Sequence, residues 1–204
     1  MNLFTHLELS LRLKRVIERN LDIRLRTIPF MLGNIKPDFV APYTNMPHYK
    51  KDSAQFVRKE ILAILDSKIY ESEKCPSQFS ERLGVIAHYL SDFFCHAHSE
   101  SFPDTLLKHY LYEMKLSLYC LSHIKGITLC GEEGPIAIQP TPYSIYNYIE
   151  ELHAEYHLAS PKVHPVADMT FALKACASMC LSVLSICLAN EESFFAVQEE
   201  EALA

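Results

Sequence analysis

The chain has no tryptophan, no pair of cysteines at C-x-x-C spacing, no basic block and no internal repeat or low-complexity stretch. With no basic block and a formal net charge of −6, it lacks the electropositive face of a general nucleic-acid binder. The seven cysteines form an odd set and read as reduced thiols. Nothing near the N-terminus resembles a secretory signal. Glu8 comes early, there is no basic leading segment, and no apolar run precedes Arg12 and Lys14. A cytoplasmic location is the expectation from this pattern. The longest apolar run, residues 175–189, is shorter than the roughly 20 residues a bilayer demands, so it reads as a buried helix and no transmembrane span is expected.

What is present is ordinary globular material. Of 204 residues, 49% are hydrophobic and 22% charged, enough for one well-filled domain over 1–204 whose tail, from about 192, reads as frayed. Helical signals dominate. Thr5 with Glu8 forms a capping box that opens a helix at His6, Phe4 and Leu9 standing as its hydrophobic staple. Asp52 and Ser77 are placed to open a second and a third helix, and Ser101 with Asp104 a fourth that stops before Gly126. Three glycines and three prolines between 126 and 142 mark a long loop. Thr141-Pro142 starts a fifth helix, and the last runs from about 166 to 191. The predicted fold is all-α, a compact single domain of five to seven helices.

Ten histidines is a high count for this length, and three of them, His88, His96 and His98, fall within eleven positions. Gly84, His88, Asp92 and His96 share one helical stripe, so His88 and Asp92 can grip one ion, with Gly84 leaving room beside it. His109 and Glu113 repeat the four-residue device on the next helix. The short link after His98 predicts that these two helices pack antiparallel, bringing both pairs to one place. Neutral imidazoles with carboxylates are the donors that zinc takes. By contrast, His153 and His157 read as surface or supporting residues. Cys176 and Cys180 read as small buried side chains.

In order along the chain, these residues resemble the zinc-dependent phospholipase C family, all-α bacterial enzymes with up to three zinc ions. The family's H-Y-x-x-D motif, with a histidine six residues beyond the Asp, reads His88-Tyr89-Leu90-Ser91-Asp92 and His98. Its H-x-x-Y-E motif reads His109-Tyr110-Leu111-Tyr112-Glu113. The upstream pair is similar to Asp38 and His48, and the early histidine to His6. Family spacing selects His98, whereas helical spacing puts His96 on the stripe. The resemblance implies that Asp38, His48, His88 and Asp92 hold one zinc, and His98, His109 and Glu113 a second. Asp92 would bridge to a third, shared with His6 and the chain's N-terminus. The family's mature enzymes present an N-terminal tryptophan to that third ion; here Met1 stands five residues before His6.

The resemblance further implies a phosphodiester hydrolase in which zinc-bound hydroxide attacks a phospholipid between glycerol and phosphate, Asp38 taking the proton. Two readings compete. Single-strand-specific zinc nucleases have a similar fold and central motif but usually carry Asp where Glu113 stands. A metal-stabilised binding domain without catalysis would use the same donors. The substrate headgroup and the oligomeric state are not legible from these residues.

Overall fold

The computed structural model describes residues 1–67, 75–102, 105–122, 136–159 and 165–203, with side chains described as far as 190. It is all-α, with seven helices and no strand among the described residues: α1 Leu3–Asn20, α2 Thr27–Phe39, α3 Lys50–Leu65, α4 Ser77–Asp92, α5 Leu106–Ser122, α6 Pro142–Ala159 and α7 Pro165–Leu203. Short 3-10 turns lie at Tyr43–Asn45 and His96–His98.

Several boundaries differ from the sequence reading, each for a local reason. Helix α1 is capped by Asn2, not Thr5: the Asn2 side chain accepts from the Thr5 backbone N–H at 3.1 Å. That starts the helix three residues early and leaves Phe4 exposed, so it makes no staple with the buried Leu9. The fourth helix begins at Leu106 rather than near Ser101; Asp104 lies outside the described residues. Thr141 behaves as expected, its hydroxyl accepting from the Ser144 N–H at 3.1 Å ahead of Pro142. The last helix extends past 191 to Leu203.

Helix α2 was not anticipated at all, because Pro29, Gly33 and Pro37 punctuate it. Yet Pro29 sits in the first turn, where a missing N–H costs nothing. The helix then closes through the Val40 N–H to the Lys36 carbonyl at 3.0 Å. Phe30, Gly33, Asn34 and Pro37 are its buried residues, the i, i+3, i+4, i+7 stripe of a core-facing helix.

That stripe lies along α4, and glycines set the approach. A Cβ on Gly33 would collide with the Glu81 carbonyl, and one on Gly84 with the Phe30 carbonyl; each would also stand 3.0 Å from the other glycine's Cα. Gly84 therefore does not make room for an ion, as its place on the His88 stripe suggested. It lets two backbones touch. Gly84→Ala is expected to destabilise the protein by about 1–3 kcal/mol through overpacking, read from a chemical denaturation midpoint. An unchanged midpoint would mean the two helices can separate freely.

Helix α5 packs against α1 and α7 rather than antiparallel along α4. The α4 and α5 donors are still brought together, because the His96–His98 turn carries the chain across. Over Pro165–Asn190, α7 has the length and composition of a membrane-crossing helix, but 72% of its most apolar window is buried inside the protein. Cys176 and Cys180 are buried there as small side chains, Cys176 Sγ donating to the Ala87 carbonyl at 3.4 Å.

Candidate metal centre

Five parts of the chain converge at one end of the core. The first turn of α1 supplies His6. The end of α2 supplies Asp38, and the segment before α3 supplies His48. From α4 and the turn after it come His88, Asp92 and His98, and from α5 His109 and Glu113. Their donor atoms form four overlapping groups within 4.8 Å: His6, His88 and Asp92; Asp38, His48 and His88; His48, Asp92 and His98; His98, His109 and Glu113.

Asp92 is the hub. It is fully buried, its Oδ1 lying 3.5 Å from His6 Nε2 and 3.7 Å from His98 Nε2. Its Oδ2 lies 3.0 Å from His48 Nδ1 and 3.5 Å from His88 Nε2. His48 is also 3.7 Å from Asp38 Oδ1, as is His88 Nε2. On the far side Glu113 Oε1 stands 3.2 Å from His98 Nε2 and 3.1 Å from His109 Nε2.

Two imidazoles have their tautomers set from behind. His88 Nδ1 lies 2.7 Å from the Asn34 carbonyl, an acceptor, so it carries the hydrogen and leaves the Nε2 lone pair facing Asp92. The Ser91 hydroxyl donates to the His88 carbonyl at 2.8 Å and therefore accepts from His6 Nδ1, 3.3 Å away. His6 Nε2 is then also a lone pair turned inward. Neither of these partners was legible in the sequence. The Asn34 contact is made by a backbone carbonyl, and both contacts link residues far apart in the chain.

The charges agree with this arrangement. Burial, then the neighbouring His6, lowers His88 well below the usual imidazole range; burial also brings His98 down to about 4. Both are neutral at pH 7, the ligating form. For Asp92 burial alone would raise the pKa, but His98, the Met1 ammonium and His6 hold it well below the usual range. Glu113 is lowered likewise, against the effect of burial, by the Met1 ammonium, His109 and His98. Asp38 moves the other way, raised by burial.

A zinc ion fits these donors. His6 Nε2 and Asp92 Oδ2 are buried and have no hydrogen-bond partner among the described residues. His48 Nδ1 stands 3.0 Å from that oxygen and belongs to the same donor group. Donors at 2.0–2.1 Å from one tetrahedral ion stand about 3.3 Å apart, close to the separations found. The amino group of Met1 reports the same preference. It is fully buried, paired with Asp92, 2.9 Å from His98 Nε2 and 3.1 Å from Glu113 Oε1. Burial favours its neutral form, yet the two carboxylates raise its pKa well above the ordinary amine value. A cation is stabilised at that spot.

His96 is turned elsewhere. Its backbone N–H donates to Asp168 Oδ2 at 3.0 Å, and its ring packs against Phe102 and Tyr112. Asp168 is a residue that sequence reasoning missed. Buried in the first turn of α7, it also accepts from the hydroxyls of Tyr112 at 2.8 Å and Tyr156 at 2.7 Å. It thereby ties the turn that carries His98, the helix that carries Glu113 and helix α6 to one point. A carboxylate at the head of a long apolar helix was the only available signal. His153 and His157 join none of the donor groups. They line a cavity of about 530 Å³ that opens beside His98, with Tyr49, Lys50, Glu100 and Glu150.

No curated protein and no solved structure matches this chain. The sequence model of one family, described as zinc dependent phospholipase C, matches residues 5–163, a span that contains all eight donors. Over three quarters of its length, and with those donors gathered in one place, the chain belongs to the zinc dependent phospholipase C family.

Proposed function

We propose that the protein is a zinc-dependent phosphodiesterase that cleaves a phospholipid between glycerol and phosphate. One observation carries the reading: eight His, Asp and Glu side chains from five segments meet as four overlapping donor groups, an expensive gathering of polar groups unless cations occupy it. Asp38, His48, His88 and Asp92 would hold one ion, and His98, His109 and Glu113 a second. His6 and Asp92 would contribute to a third, which the Met1 amino group would join only on losing the proton that Asp92 and Glu113 stabilise. Zinc so held supplies Lewis acidity, making phosphorus electrophilic and water acidic at neutral pH.

The chain's own residues divide the remaining work. His6, His88 and Asp92 form a fully buried floor, whereas Asp38, His48 and His109 are partly exposed and form the mouth. Substrate phosphate reaches the floor past Asp38. That carboxylate, its pKa raised by burial, is better matched to accept a proton from the attacking water at neutral pH than an ordinary aspartate is. Asn34 and Ser91 hold His88 and His6 in their ligating tautomers. The cavity beside His98 is large enough for the phosphorylated headgroup.

The test is hydrolysis by the zinc-loaded protein of phosphatidylcholine, a soluble chromogenic phosphodiester and single-stranded DNA. Diacylglycerol and a phosphorylated headgroup are the expected products. Nucleotide release without lipid cleavage would move the protein to the nuclease reading, which the glutamate at 113 disfavours. Inactivity on all three esters at full zinc occupancy would leave a binding domain.

A further inference from the structure

Helix α5 has two unlike uses. One side turns His109 and Glu113 into the donor cluster. The opposite side carries Leu107, Tyr110, Leu111, Met114, Leu118 and Leu121, spaced i, i+3, i+4, i+7, i+11 and i+14, so that they form one stripe. Such a stripe normally faces a core. Here every member is between 38% and 68% exposed, and Leu106 at the head of the helix is 92% exposed. Meanwhile Tyr112, Leu116, Ser117 and Cys120 already fill the inward face. A contiguous exposed apolar surface of this kind marks a place of contact.

Its position and charge select the contact. Asn2 Nδ2 donates to the Glu113 carbonyl at 3.3 Å, which ties the start of α1 to α5. The apolar stripe and two of the donors thus share one helix. Lys108 and Lys115, both exposed and seven residues apart, follow the stripe, while the helix's one carboxylate, Glu113, is taken by the cluster. The outer face of α5 is therefore cationic in a chain whose formal net charge is −6. At a screening length of about 8 Å, the two lysines contribute a positive field where this face makes contact. A second copy of this chain would bring the same lysines to the same stripe, with like charges opposed. An anionic lipid layer offers both complements, acyl chains for the leucines and phosphates for the lysines.

We propose that the outer face of α5 seats the protein on an anionic phospholipid bilayer. This rests on the phospholipase reading above, and it adds the physical form of the substrate: lipid in an assembled surface.

The experiment uses the zinc-loaded full chain and its L107Q/L111Q/L118Q variant. Sedimentation with phosphatidylcholine vesicles, with and without phosphatidylglycerol, is measured beside hydrolysis of vesicle lipid and of a monomeric short-chain phosphodiester. Wild type is expected to bind the phosphatidylglycerol vesicles and the triple variant to bind at least about 100-fold more weakly, at roughly tenfold per half-inserted leucine. The variant should keep its melting temperature and its activity on the monomeric ester. K108Q/K115Q should lose affinity only for the anionic vesicles, as wild type should in high salt. Equal vesicle binding by wild type and triple variant would overturn the proposal. So would a wild-type dimer that the triple variant converts to monomer, since the face would then belong to a second copy. Vesicle binding lost in the variant, with no hydrolysis of any substrate by wild type, would support the docking face and refute the phospholipase reading instead.

Discussion

Asp92→Asn should lower phosphodiester hydrolysis by about a thousandfold or more and strip the protein of zinc. Asparagine keeps the size and one carbonyl oxygen but removes the charge. That charge sits at the common point of His6, His48, His88 and His98, all within 3.7 Å, and of the Met1 ammonium. A metal ion contributes several kcal/mol of charge stabilisation to a phosphoryl transition state, and each 1.36 kcal/mol is tenfold in rate. Losing an ion shared by Asp92 therefore reaches three decades readily. The change should also destabilise the metal-free protein, because removing one partner of a buried ion pair costs about 3–5 kcal/mol, less whatever Glu113 recovers as the second carboxylate on the Met1 ammonium. Zinc content by atomic absorption, kcat/KM and a denaturation curve together check the claim. Wild-type zinc content with wild-type rate would show that Asp92 holds the fold and not the ions.

The second large effect is that of chelation. At free zinc a thousand times its dissociation constant, binding to the folded state alone stabilises it by about 4 kcal/mol. For a chain of this size each kcal/mol moves the melting temperature by about 2–4 °C, so a strong chelator should lower it by about 8–16 °C. The chelated protein should also be acid-sensitive in a defined window. Burial lowers the folded-state pKa of His98 to about 4, against 6.5 for a free imidazole. Between those values the unfolded chain binds the proton and the folded chain does not, so stability falls as pH drops from 6.5 toward 4. Asp92 and Glu113, lowered in the folded state, extend the loss in the same direction below the ordinary carboxylate range. Scanning calorimetry across that range checks both limbs. A melting temperature indifferent to chelator would mean that no ion binds the fold strongly.

The candidate site was legible where its chemistry is local. His88 with Asp92 and His109 with Glu113 announce themselves because four residues make one helical turn, which places both donors on one face whatever surrounds them. Asp38, His48 and His6 have no such partner nearby, and only their order, matched to a family, drew them in. The shell behind the donors was out of reach. Asn34 acts through its backbone, Ser91 through a hydroxyl that any helix tolerates, and Asp168 through tyrosines on two other helices. Helix α2 was lost to its own punctuation, although Phe30, Gly33, Asn34 and Pro37 hold the helical period throughout.

By itself, the sequence determined an all-α chain, its family, and a set of donors suited to zinc, because helical period and ligand type are properties of neighbouring residues. Only the tertiary structure decided how those donors meet. Paired glycines let α2 touch α4, and a 3-10 turn rather than antiparallel packing delivers His98 beside Asp92 and Glu113. It also decided which way α5 faces. A pattern of leucines states that a helix has an apolar side, but whether a core covers that side depends on every other element of the fold.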